Sequence, residues 1–159
     1  MDALITALQM DVVQLPEILL RVGLALLFGL ALGFDREEKD KPIDYRAYMI
    51  VGTATCILGI MGQEVYADYA RAGDVVSVDL AKIIAGVLTG IGFLGAGAII
   101  KVEKEKVIGT TTGASIWASG GIGLCLGFGQ YMLALVAFIV VFVIMIAGNT
   151  LFDWLDRMR

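Results

Sequence analysis

Hydrophobic positions along this chain gather into five long runs, at about 16–34, 46–65, 80–100, 111–128 and 131–152, with polar and charged residues concentrated between them. A helix rises 1.5 Å per residue, so crossing a hydrocarbon core of about 30 Å takes about 20 apolar residues. Each run is near that length, and the fifth, YMLALVAFIVVFVIMIAGNTLF, is the clearest span. The first opens with Pro16 and Glu17, both suited to a first helical turn. The second and fourth are shorter and carry threonine, serine and glycine, so they are expected inside a bundle rather than alone in lipid. The pattern predicts an all-α polytopic membrane bundle of five spans over residues 16–159. Leu4, Leu8, Val12 and Leu15 recur at helical spacing before it, which predicts an amphipathic interfacial segment over 1–15. That segment has no positive n-region and reads as mature sequence rather than a signal peptide.

The polar stretches give a direction. Arg36, Lys39, Lys41 and Arg46 lie between the first two runs, and Lys101, Lys104 and Lys106 between the third and fourth. The 66–79 stretch holds Arg71 against Asp68, Asp74 and Asp79. Basic loops stay cytoplasmic, so the expected topology is N-terminus outside and C-terminus inside. Tyr66, Tyr69 and Tyr131 then fall at the outer boundary, and Tyr45, Tyr48 and Trp154 at the inner one.

Composition supports the membrane reading and narrows the chemistry. The chain is 58% hydrophobic with a mean hydropathy of +0.85, above the 45–50% apolar share usual for soluble domains. A net charge of −4 and no basic stripe argue against nucleic acid as a partner. With no histidine, the usual general base is missing, and no nucleophile–base pair or phosphate-loop motif is visible. The chain is therefore expected to be non-enzymatic and to need no cofactor. Cys56 and Cys125 lie inside apolar runs and read as buried thiols.

Glycine is the other unusual component, at 20 residues. Gly29 and Gly33 form GxxxG in the first span. Gly86 and Gly90 repeat it in the third, followed by Gly92, Gly95 and Gly97. In lipid, small residues let helix backbones approach closely. These glycines are candidates for helix packing, and the 92–97 stretch is alternatively a broken helix whose freed backbone lines a site. The first two and the next two spans also look like a faint parallel repeat, GLALGFDREEKDK against LGAGAIIKVEKEK.

Charges near the predicted outer face are Glu17, Arg21, Glu64, Asp79 and Lys82. They suit an interhelical ion-pair network. Glu17, Glu64 and Asp79 are alternatively carboxylate ligands for a hard divalent cation such as Mg²⁺. Arg21, one turn inside the first span, either snorkels outward or faces the bundle. Near the inner face lie Asp35, Arg36 and Arg46, with Thr110, Thr111 and Thr112 opening the fourth span. The threonine hydroxyls are placed to cap that helix, and the same helix start could hold an anion or a lipid headgroup.

The stretches GLALGFDREE, RAYMIVGTATCIL, KIIAGVLTGIGFLGAGAII and GTTTGASIWASGGIGLCLGFGQY resemble, in order and spacing, the membrane domain of the MgtC/SapB family over about residues 20–150. The resemblance implies a bacterial inner-membrane protein of about five spans. It implies links to growth at low magnesium, to stress and to virulence, with the F-type ATP synthase as a possible membrane partner. By position the family's acidic–arginine pair falls on Asp35 and Arg36, its span-two arginine on Arg46 and its span-three arginine on Lys82. Its threonine pair and tryptophan fall on Thr111, Thr112 and Trp117. Lysine at 82 keeps the charge but loses the bidentate fork. Virulence members carry a further ACT-like C-terminal domain with no counterpart in this chain, and functions depending on it are not carried over.

The favoured expectation is a homodimeric membrane factor that contacts membrane lipids and binds another membrane protein. The alternative is a cation transporter using Glu17, Glu64 and Asp79 outside and Asp35 inside.

Overall fold

The computed structural model describes residues 12–37, 44–72, 79–102 and 106–157. Most of the 1–15 segment lies outside them, as do the side chains of Asp35 and Arg36. Among the described residues the chain forms five helices, α1 (Leu15–Glu37), α2 (Tyr45–Ala72), α3 (Leu80–Gly97), α4 (Thr110–Gly127) and α5 (Tyr131–Arg157). Two short strands, β1 (Ile100–Val102) and β2 (Lys106–Ile108), pair antiparallel between α3 and α4, with Lys101 opposite Val107.

Among the described residues, four helices are long and apolar enough to cross a membrane: Leu15–Phe34, Tyr45–Arg71, Leu80–Gly97 and Tyr131–Gly148. The chain is a multi-pass membrane protein. α4 is the exception in hydropathy and the centre in space. It packs on each of the other four helices, and eleven of its residues are buried, among them Thr112, Ser115 and Ser119. Its small and polar residues are tolerated because its neighbours screen it from lipid. Large apolar side chains such as Leu19, Leu27, Val136 and Ile144 stand exposed on α1 and α5, as expected of surfaces that face acyl chains.

Glycine sets the spacing along part of the bundle. A Cβ at Gly29 would lie 2.8 Å from the Tyr48 carbonyl oxygen, and one at Gly33 would lie 2.6 Å from the Tyr45 Cα. At Gly95 it would meet the Gly113 carbonyl oxygen at 3.0 Å, and Gly59 faces the Gly127 Cα at 3.0 Å. Gly86, Gly90, Gly92 and Gly97 differ, since a Cβ at any of them meets nothing within 4 Å. Gly86, Gly90 and Gly97 fall on the side of α3 turned away from buried Ile91 and Gly95, so they mediate no packing among the described residues. The 92–97 stretch is continuous helix through Gly97 rather than a break.

α4 starts differently from expectation. Its N-cap is Gly109, with φ +88° and no side-chain cap bond, so the threonine hydroxyls do not cap it. A side chain at 109 would run into the Ala98 carbonyl, which is why the hairpin return needs glycine there. α5 is fastened to α1 by aromatic stacking: Phe28 and Phe138 centroids lie 4.3 Å apart, and Phe138 and Phe142 5.5 Å apart.

Candidate functional site

The turn from α4 to α5 is only three residues long, and it organises a polar junction of four helices. Gly129 takes φ +73°. Its N–H donates to the Leu126 carbonyl at 2.9 Å, and the Gln130 N–H to the Cys125 carbonyl at 2.8 Å. These two bonds make a Schellman ending. The carbonyls of Gly127 and Phe128 still need donors, and a buried carbonyl in lipid cannot turn to water.

Arg21 supplies one of them. It reaches across from α1, is only 6% exposed, and donates from Nη1 to the Gly127 carbonyl at 2.6 Å and to Gln63 Oε1 at 2.8 Å. Its Nε donates to Glu17 Oε1 at 3.1 Å and to the Tyr131 hydroxyl at 3.3 Å. Nη2 pairs with the same Glu17 oxygen. Gln63 then donates through Nε2 to the Phe128 carbonyl at 3.2 Å. Arg21 thus faces the bundle, and α1, α2, α4 and α5 meet on one guanidinium. Its charge lies where the α4 macrodipole is negative, while Glu17 balances it. Gly129 leaves room for it, since a Cβ there would be 3.0 Å from Nη2.

The other charges at this end of the bundle have separate contacts among the described residues. Glu64 accepts the Val12 N–H at 3.1 Å and the Val13 N–H at 2.8 Å, tying the approach to α1 onto α2. Asp79 is the N-cap of α3, accepting the Ala81 N–H at 3.0 Å, and Lys82 Nζ lies 3.8 Å from it. The network expected from the sequence is therefore divided into separate local contacts. Glu17, Glu64 and Asp79 are each committed to a different partner, and no group of three potential metal ligands occurs among the described residues.

A second polar seam joins α2 to α4 at the opposite half of the bundle. The fully buried Tyr48 hydroxyl bonds Ser115 Oγ at 2.9 Å. Ser119 Oγ donates to the Tyr48 carbonyl at 3.0 Å, and Ser115 Oγ also to the Thr112 carbonyl at 3.1 Å. Thr112 is buried, Thr111 is exposed and Trp117 is 47% exposed. Arg46 is exposed at the start of α2, 3.4 Å from Asp44 and with its guanidinium 5.8 Å from the Tyr45 ring centroid. Of the residues picked out by position, Arg46, Thr111 and Thr112 thus lie at one end of the bundle and Lys82 at the other, while the side chains of Asp35 and Arg36 lie outside the described residues.

The bonds of Gln63, Tyr131, Tyr48 and Ser115 escaped the sequence reading, which placed Tyr131 and Tyr48 only as boundary aromatics; Tyr48 is instead fully buried. A signal existed for the first two: an intramembrane arginine demands several acceptors, and a glutamine and a tyrosine stand at the same predicted boundary.

The family model described as the MgtC family matches residues 22–154. The chain belongs to the MgtC family. It is 34% identical over 119 residues to protein SapB of Bacillus subtilis, covering 73% of this chain and 50% of SapB. YhiD of Escherichia coli K12, named as a candidate magnesium transporter, is 34% identical over 119 residues, 75% of this chain and 54% of its own. Protein MgtC of Salmonella typhimurium is 32% identical over 117 residues, 74% of this chain and 46% of its own. The chain spans about half the length of these three relatives. No solved structure matches it significantly.

Proposed function

We propose that this protein is a non-enzymatic factor of the bacterial inner membrane that serves under magnesium limitation and related stress, virulence included, by binding other membrane proteins. Its N-terminus lies outside and its C-terminus in the cytoplasm, following the basic loops. The observation that carries the reading is where polar groups and open surfaces sit. Among the described polar side chains of the interior, Arg21, Tyr48, Ser115 and Ser119 are bonded within the bundle, while the Thr53 hydroxyl is buried without a partner. The outward side of α3, by contrast, presents Gly86, Gly90 and Gly97 with nothing packed on them, and Phe93 80% exposed. A glycine ridge beside a large aromatic suits close approach of another helix. A second copy of this chain, or a complex such as the F-type ATP synthase, would seat there.

A Mg²⁺ transporter is the second reading, favoured by the name given to YhiD. It would require the outer carboxylates to line a path, yet each has a structural partner. Reconstitution into liposomes holding a magnesium-sensitive dye separates the two. The expected result is no flux above empty vesicles for the wild type or for Asp79→Ala. Wild-type flux that Asp79→Ala abolishes would establish the transporter instead. For the partner, Gly90→Leu is expected to lose co-purification with the ATP synthase while Gly23→Leu keeps it. Equal recovery of both would overturn this surface.

A further inference from the structure

α3 and α5 flank α4 without closing over it. The opening between them is a groove of about 720 Å³. Its walls are large and apolar, with Ile84 and Leu88 on α3 and Leu133 and Val141 on α5. Its floor is small, with Gly121 and the half-buried Cys125 of α4. Polar side chains enter at one end, where Gln63 and Gln130 form the mouth.

We propose that this groove holds one acyl chain of a bilayer phospholipid, with the headgroup at the Gln63–Gln130 mouth. Three observations choose this occupant. The first is length. The α4 lining runs from Phe128 to Trp117, eleven helical rises or about 16 Å, which is half of a hydrocarbon core of about 30 Å. The groove is one leaflet deep. A partner helix would cross both leaflets, and an 18-residue cylinder about 10 Å wide has roughly three times the groove's volume.

The second is complementarity of polarity. Amides at the mouth and hydrocarbon below match an amphiphile, and Gln130 is exposed at the level where ester and phosphate oxygens would lie. Arg21, 2.8 Å from Gln63 and ion-paired with Glu17, holds that amide in place behind the mouth. The third is Gly121. A Cβ there would meet nothing within 4 Å, so this glycine weakens its helix without serving a close contact among the described residues. What it provides is depth.

The groove stands independently of the protein-binding surface proposed above, which lies on the other side of α3. The test is native mass spectrometry of the full chain after extraction from bilayers of phosphatidylethanolamine and phosphatidylglycerol and extensive detergent washing. The wild type is expected to retain one phospholipid per chain. Gly121→Leu fills the floor and introduces a better helix former at a position where the added Cβ meets nothing within 4 Å. Displacing even two methylenes lowers retention by roughly tenfold. Gln130→Glu, at an exposed position, is expected to lower retention of phosphatidylglycerol more than of phosphatidylethanolamine. Unchanged lipid occupancy in Gly121→Leu, or no retained lipid in the wild type, would overturn the proposal. So would a lipid-free wild-type dimer that Gly121→Leu makes monomeric, because the occupant would then be a second copy.

Discussion

The contact between α2 and α4 makes the most demanding prediction, for Gly123→Ala. A methyl at Gly123 would fall inside contact distance of the Gly52 carbonyl oxygen and Thr55 Oγ1, and 2.8 Å from the Gly52 carbonyl carbon. Most of these atoms are backbone and cannot rotate away, so the helices must part. Overpacking of this kind costs about 1–3 kcal/mol. Separation would also strain the Tyr48–Ser115 and Ser119–Tyr48 bonds, each contributing about 0.5–1.5 kcal/mol. Alanine returns about 1 kcal/mol of helix propensity. The net expectation is a loss of about 2–4 kcal/mol, or roughly 4–16 °C in melting temperature. Gly23→Ala is the control, since a Cβ there meets nothing within 4 Å. It should melt at or above the wild type. The assay is thermal unfolding in one detergent, followed by helical circular dichroism. Gly123→Ala melting with the wild type, or Gly23→Ala falling as far, would refute the account of backbone contact.

Arg21→Met should orphan the buried Gly127 carbonyl and cost about 1–3 kcal/mol for that group alone, and the same melting assay reads it. Glu64→Ala should speed amide exchange at Val12 and Val13 while leaving exchange in α5 unchanged. Asp79→Ala should cost about 0.5–2 kcal/mol as a lost N-cap of α3, visible as earlier melting with no change in magnesium flux. Tyr48→Phe should cost about 0.5–1.5 kcal/mol through the lost bond to Ser115, read by the same unfolding experiment.

The helices were legible because apolar runs in lipid leave the backbone little choice. The predicted run at 80–100 became α3 at Leu80–Gly97, and the run at 111–128 became α4 at Thr110–Gly127. The placing of the fourth run inside the bundle followed from its threonines and serines, which lipid would not solvate. The hairpin was missed because its lysines and glutamates read as a cytoplasmic loop, although Ile100, Lys101 and Val102 alternate as a strand does. The role of the threonines was misjudged since φ at Gly109, a tertiary constraint set by Ala98, decided how α4 begins. At the candidate site, Arg21 was recognised as anomalous for its depth. Its acceptors were not, because three of them lie 42 to 110 residues away in the chain. Spacing along one helix cannot report such contacts.

The low hydropathy of α4 constrains how the protein is made. A segment opening TTTGAS and continuing through SGG gains little on leaving an aqueous translocation channel for lipid. It needs α1, α2 and α3 already waiting beside the channel to receive its glycines. α5 follows after a three-residue turn and is the most hydrophobic of the spans. The two should therefore leave the channel together as one hairpin, with α5 drawing α4 into a slot that the earlier helices have prepared. The order of the helices along the chain is then also an order of assembly, in which the centre of the bundle is filled near the end of synthesis.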